Sequence, residues 1–240
     1  MKPLTPCSSC DTAGIQEQSV QRDTKETVDR FNIVAAMNQN RVIGVDGRLP
    51  WTIPNDRLHF EALTRQKVLI IGRHTFFEAE DFSHLNHLRH VIVVSTTLDE
   101  TTVKNFADTH PAKAHLAHSF EESLLLAKSL ERDLDGVERN CHEHGGANDI
   151  DCWIGGGQRL YEHAIRHEAA NEIYLTLVDE NSIQTGDATT SFFPAKYRWD
   201  NVFFEVHEKT KVVNDDHGVG FRYTFLTYMR RRKANERFTT

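Results

Sequence analysis

The stretch RVIGVDGRLPWTIPNDRLHF, Arg41 to Phe60, decides how the rest of the chain reads. It opens as a polar loop with two glycines, tightens at Leu49-Pro50-Trp51 and enters a short helix at Pro54. Proline costs nothing in a first helical turn, because the N–H it lacks is unpaired there in any case. In that helix Asp56, Phe60 and Leu63 fall at i, i+4 and i+7, so a carboxylate shares one stripe with apolar side chains. An Asp in a first turn is also what the helix dipole favours, and the helix alone leaves both roles open. The segment before it tips the balance. An aromatic wall and a rigid turn, behind a flexible glycine-containing loop, are how a lid beside a site is built.

Outward from this stretch, Phe31–Met37 reads as a first buried strand. Val68–Gly72 (VLIIG) and His90–Ser95 (HVIVVS) are apolar throughout, long enough for central parallel strands and too short for helices. Ala114–Ala117 is a shorter fourth strand. Ser119 and Glu122 spell a capping box, continued by Phe120, Leu124, Ala127 and Leu130 as an amphipathic helix. Residues 131–150 are polar, charged and glycine-bearing, an exposed insertion. Asp151–Ile154 is a strand, Gly155-Gly156-Gly157 a sharp turn, and Gln158–His167 a helix with Leu160, Ala164 and Ile165 inward. Glu172–Val178 is the next strand, and Val202–Lys209 with Phe221–Met229 form a hairpin around the turn-rich residues 214–218. The fold class is therefore α/β: a single domain with a mostly parallel central sheet of about eight strands, flanking helices and an antiparallel C-terminal hairpin.

Residues 1–29 hold hardly a large apolar side chain and read as a disordered tail, with the domain at 30–231 and a polar tail at 232–240. The formal net charge of -7 argues against general nucleic-acid or anionic-membrane binding, which wants a basic face. No apolar run is long enough to span a bilayer and no hydrophobic signal region opens the chain, so the expected location is cytoplasmic. The 4 cysteines do not make a disulfide scaffold in a chain of 240 residues. Cys141, His142 and His144 offer too few ligands at unsuitable spacing for a metal, and none is expected.

Ligands of open α/β sheets lie at the carboxyl ends of the strands, and three such ends carry suggestive chemistry. Gly72-Arg73-His74-Thr75 puts one or two cations and a hydroxyl where backbone N–H groups also point outward, which suits a phosphate. Ser95-Thr96 ends the neighbouring strand with two hydroxyls, and Gly155-Gly156-Gly157 lets backbone approach a bulky anion. Together they suggest a nucleotide with phosphates at two places, although no G-x-G-x-x-G follows the first strand.

These pieces resemble dihydrofolate reductase from about Phe31 to Arg230: IVAAM, RVIGVDGRLPW, the PNDRLHF helix, IIGRHTF, VVST, WIGGGQRLYEHA, IYLTLVD, GDATTSFFP and the closing hairpin, in order. The resemblance implies NADPH-dependent reduction of 7,8-dihydrofolate to tetrahydrofolate. It implies that Asp56 holds the 2-amino group and N3–H of the pterin bidentately, supported by Trp51 and Thr176, with a water proton for N5 admitted past Leu49. Val34, Ala35, Phe60 and Ile154 would sandwich the rings, and Arg89 would pair the carboxylate of the substrate's glutamate tail. Ala36, Ile43, Gly72, Arg73, His74, Thr75, Ser95 and Thr96 would serve the cofactor, with Gly155, Gly156, Gly157, Gln158, Arg159, Leu160 and Tyr161 under its pyrophosphate and nicotinamide. A cis peptide is implied between Gly155 and Gly156. Arg57 stands where the family usually has Leu or Phe, its stem against the ring and its guanidinium toward solvent or the glutamate tail. The link from Thr75 to Arg89 is longer than usual, and Leu85-Asn86-His87-Leu88 replaces the common Pro-Leu-x-Gly before that arginine. The expected partners are small molecules, dihydrofolate and antifolate inhibitors, on a monomer needing no nucleic acid or membrane. A related pyrimidine reductase of riboflavin synthesis shares the glycine turn but not the pairing of Trp51 with Asp56, and an idle nucleotide- or RNA-binding module would not need either.

Overall fold

The computed structural model describes residues 28–132, 151–179, 189–214 and 220–231. Along the chain these form β1 (Phe31–Asn38), β2 (Val42–Val45), α1 (Pro54–Thr64), β3 (Val68–Gly72), α2 (Arg73–Phe76), β4 (His90–Val94), α3 (Glu100–Thr109), β5 (Lys113–Ala117), α4 (Phe120–Arg132), β6 (Cys152–Ile154), α5 (Gln158–Ala164), β7 (Ala170–Val178), β8 (Thr190–Phe192), β9 (Phe203–Asn214) and β10 (Gly220–Arg230). Eight strands make one sheet in the order β5-β4-β3-β6-β1-β7-β10-β9. Pairing is parallel from β5 to β7, and β10 and β9 close the sheet antiparallel. The α/β sheet with its antiparallel terminal hairpin is thus the architecture found.

The strands look uniformly apolar in sequence because helices cover both faces. Their side chains nevertheless sort by period two. Phe31, Ile33, Ala35, Val68, Ile70 and Ile92 enter the core on one side, with Phe120, Leu124 and Ala127 of α4 and with Leu160 and Ala164 of α5. Val34, Leu69, Ile71, Val91 and Val93 enter the other, with Phe76 of α2 and Phe106 of α3. Ile70 is fully buried, and truncating such a side chain to Ala costs about 2–5 kcal/mol.

Strand order places the site. From β1 the chain steps outward through β3, β4 and β5, then returns as β6 between β3 and β1 and continues as β7 on the far side of β1. The carboxyl ends of β1, β3 and β6 therefore border the crevice where connections diverge, the usual ligand position in such sheets.

Several bounds differ from the sequence reading. The loop after Arg41 holds a strand, β2, paired antiparallel with β8. With Val42 and Gly44 buried and Ile43 and Val45 half-buried, its alternation is too brief to stand out. Helix α3 is an element the sequence reading passed over, with Val103 and Phe106 buried three residues apart; its N-cap is Asp99, whose Oδ1 accepts the Thr102 N–H at 2.9 Å. Only half the expected capping box forms at α4. Ser119 Oγ accepts the Glu122 N–H at 3.0 Å, while Glu122 Oε2 takes the N–H of His118 instead, at 2.7 Å. Helix α5 ends at Ala164, and β9 runs on to Asn214. The folded body starts before residue 30: Val28 is buried in the core and Asp29 pairs with Lys128 at 3.1 Å. The insertion at 133–150, with Cys141, His142 and His144, lies outside the described residues, as do the tails at 1–27 and 232–240 and residues 215–218 of the expected turn. No helix among the described residues is long and apolar enough to cross a membrane.

Candidate active site

A cavity of about 600 Å³ occupies that crevice. Val34, Ala35 and Ala36 line it from β1, Leu49 and Trp51 from the lid, Asp56, Arg57 and Phe60 from α1, and Gly155, Gly157, Tyr161 and Thr176 from the far side. Ile43, His74 and Thr75 complete the set of sequence-expected residues on its wall. Ile154 is fully buried beneath it, and Leu160 packs in the core rather than on the wall. Arg89 is half-buried and off the wall, its N–H spent on Lys67 O at 3.1 Å.

Asp56 sits in the first turn of α1, with its N–H donated to Ile53 O at 3.0 Å. The Thr176 hydroxyl, from β7, donates to Asp56 Oδ1 at 2.6 Å. Burial raises the carboxyl above the ordinary carboxylate range, and the Thr176 bond opposes that shift. Trp51 is buried against Val178, Tyr223 and Phe225, and its indole Nε1 finds no protein partner among the described residues. Arg57 keeps 57% of its side chain exposed and pairs with Glu61 one turn on, at 3.1 Å. It reaches the cavity from the rim.

At the opposite end the glycine turn forms a close-packed cradle. Gly155 still belongs to the sheet, donating its N–H to Ile70 O at 2.9 Å, so the turn begins one residue later. The cis peptide accordingly joins Gly156 to Gly157 and not Gly155 to Gly156; three successive glycines give a sequence no means of choosing. Gly156 has φ +104°, and a Cβ there would lie 2.8 Å from the Tyr161 hydroxyl. That hydroxyl donates to Val34 O at 2.8 Å and is held far from ionisation by burial, with Glu78 and Asp56 adding their charges. Arg73 and His74 are exposed basic side chains after β3, lining a polar recess of about 280 Å³ with Asp46, Gly47, Arg48 and Phe77. Thr96 is exposed at the end of β4, but Ser95 Oγ is engaged by the N–H groups of Thr97 at 3.2 Å and Leu98 at 3.0 Å. Gln158 is tied to β8 through the Phe192 N–H at 2.9 Å, and Arg159 is exposed off the wall. Backbone that no Cβ may enter, next to exposed cations, suits a dinucleotide with phosphate groups.

Sequence reasoning missed one acid and two imidazoles on this wall, Glu78, His59 and His84. Glu78 lines the cavity and accepts the Leu49 N–H at 3.4 Å; burial raises its carboxyl, and that bond opposes the rise. His84 donates through Nε2 to Thr75 O at 3.0 Å and is kept neutral mainly by burial, leaving a buried Nδ1 without a donor among the described residues. No helical spacing marks Glu78, which lies beyond the end of α2 at Phe76.

A sequence model of the dihydrofolate reductase family matches residues 30–230. The chain belongs to that family. A dihydrofolate reductase of Drosophila melanogaster is 27% identical over 208 residues, covering 82% of this chain and 97% of the relative. One from Enterococcus faecium is 30% identical over 145 residues, 60% of this chain and 68% of its own length. Among solved structures, a dihydrofolate reductase from Enterococcus faecalis complexed with NADP(H) and RAB-propyl shares the fold, with a TM-score of 0.59 at 24% identity, over 85% of this chain and 98% of that one. Membership makes this an NADPH-dependent reductase of 7,8-dihydrofolate, and the pyrimidine-reductase and idle-module readings fall away.

Proposed function

We propose that the cavity divides the reaction among its residues as follows. Asp56 clamps the pterin. Thr176 occupies one side of Oδ1, which leaves Oδ2 and a remaining lone pair of Oδ1 to accept the 2-amino group and N3–H. Val34, Ala35 and Phe60 face the rings, and Leu49 on the lid gates the water that supplies a proton to N5. NADPH, when bound, supplies the hydride delivered to pterin C6. Tyr161 is fixed under its nicotinamide by the bond to Val34 O. Gly72, Thr75 and the turn from Gly155 to Gly157 approach the pyrophosphate, while Arg73 and Thr96, exposed at adjacent strand ends, take the 2′-phosphate. His74 joins Arg73 in the polar recess at the cofactor's edge.

Arg57 and not Arg89 stands on the cavity wall, so Arg57 is the side chain we assign to the anionic tail of the substrate and to the discrimination among antifolates. The cavity is complete within one chain among the described residues, which supports a monomer acting on small molecules. One observation carries the reading: a buried carboxyl at 2.6 Å from the Thr176 hydroxyl, facing a cavity whose other end is the glycine cradle. The deciding experiment follows NADPH absorbance with dihydrofolate as the sole acceptor. Dihydrofolate-dependent oxidation is expected from the wild-type chain, and its absence would remove the assignment.

A further inference from the structure

Asp56 is not alone in the cavity. Glu78 lines the same wall, one turn beyond Thr75, whose Oγ1 lies 3.8 Å from where a Cβ of Gly157 would stand. Glu78 therefore belongs to the cofactor half of the cavity, between the glycine cradle and the lid. Among the described residues its carboxylate takes one hydrogen bond, from the Leu49 N–H at 3.4 Å to Oε1. Among the described residues no ion pair neutralises it. The nearby basic groups serve other acids: Arg48 pairs with Glu80 at 3.7 Å and Arg57 with Glu61 at 3.1 Å. Tyr161, placed under the nicotinamide, feels the charge of both Glu78 and Asp56. An unpaired acid in a low-dielectric wall is a cost to the empty protein, offset when a ligand brings positive charge.

The reaction creates such a charge. When C4 of the neutral dihydronicotinamide gives up hydrogen with both bonding electrons, the ring becomes a pyridinium of charge +1, while pterin C6 gains the hydride and N5 gains a proton from water. We propose that Glu78 is a second electrostatic group of this site, favouring the cationic oxidised nicotinamide over the neutral reduced one. The inference rests on the reading under Proposed function. It differs from a role as a simple lid latch on Leu49, because a latch affects both cofactor forms alike. NADP+ and NADPH share every phosphate and sugar contact and differ only in the ring.

The experiment measures dissociation constants of NADP+ and NADPH for the full chain by quenching of tryptophan fluorescence, in wild type, Glu78→Gln and Glu78→Asp. Glu78→Gln should weaken NADP+ about tenfold and leave NADPH within about twofold, as expected for losing one charge several ångströms from another at an effective dielectric near 20. Glu78→Asp keeps the charge and shortens the reach to Leu49, so its ratio of the two constants should stay at the wild-type value. Equal weakening of both forms in Glu78→Gln, no change in either, or a Glu78→Asp ratio matching that of Glu78→Gln would each overturn the proposal. Binding is read without turnover. A wild-type chain that binds cofactor but fails to oxidise NADPH with dihydrofolate would sink the functional reading, and the ratio would still judge Glu78.

Discussion

Burial lifts the Asp56 carboxyl against the pull of Thr176, and that single balance has two measurable sides. The unfolded chain ionises first, so this carboxyl's contribution to stability is fully present below the ordinary carboxylate value and is lost as pH rises through the raised folded value. Asp56→Asn should therefore raise the thermal midpoint of the ligand-free protein at neutral pH, with the gain shrinking as pH falls into the ordinary carboxylate range. Thermal scans across pH test this; a midpoint lowered at pH 7 would contradict it. In the same variant turnover should fall about a hundredfold or more, roughly 2.7 kcal/mol, because the lost clamp matters most as the pterin becomes protonated. Activity should recover partly at low pH, with NADPH affinity nearly unchanged, and a variant that kept wild-type turnover at pH 7 would remove Asp56 from its role. Arg73 separates the cofactors. Arg73→Ala should raise the Michaelis constant for NADPH tenfold or more, roughly 1.4 kcal/mol, and barely move that for NADH. Equal losses would place Arg73 on the shared pyrophosphate.

Among elements, the glycine turn before α5 is the least tolerant. Gly156→Ala puts a methyl 2.8 Å from the Tyr161 hydroxyl at a φ of +104°, so both backbone and ring must move. Gly47→Ala, at φ +79° on the lid, meets only His74 at 3.9 Å. The first should lower the thermal midpoint and kcat well beyond the second, and comparable losses would deny the cradle its role. These elements also show what a sequence displays. The apolar runs of β3 and β4 announce themselves because parallel strands covered on both faces need continuous Val, Leu and Ile. Asp56 is legible because an acid interrupts an apolar stripe beside a lid. Glu78 was not: its membership of the wall depends on how α2 turns after Gly72, and a four-residue helix leaves no periodicity to read. Arg89, just before β4, does not line the cavity. Strand β2 is invisible until β8, far along the chain, supplies its partner.

For the whole molecule, acid sensitivity should come from buried imidazoles. His87 is 9% exposed, and its Nε2 meets Thr64 Oγ1 at 2.7 Å. The Thr64 proton is committed to Phe60 O, so the imidazole must donate through Nε2, and its Nδ1 is left unpaired among the described residues. Burial drives His87 down from 6.5 to about 4, and His84 and His115 are lowered for the same reason. Stability from a depressed histidine is present above the unfolded value and lost as pH falls through the folded one. His87→Gln should flatten the acid limb between pH 6.5 and about 4 in denaturant titrations, and an unchanged limb would exclude it. Deleting residues 1–27 should leave turnover and midpoint unchanged, whereas extending the cut through Val28 and Asp29 should lower the midpoint, because Val28 is a core residue. If both truncations behave alike, Val28 is not an anchor. Strand order finally bears on synthesis. Strand β1 leaves the ribosome first among the strands, yet its sheet neighbours β6 and β7 begin only at Cys152 and Ala170. A nascent chain can zip β3, β4 and β5 together early while β1, central in the sheet, waits, unpaired and apolar, until β6 is made. Translation pauses ahead of β6 would prolong that exposure and with it the hazard of aggregation, a vulnerability timed by chain order and not by the stability of the finished fold.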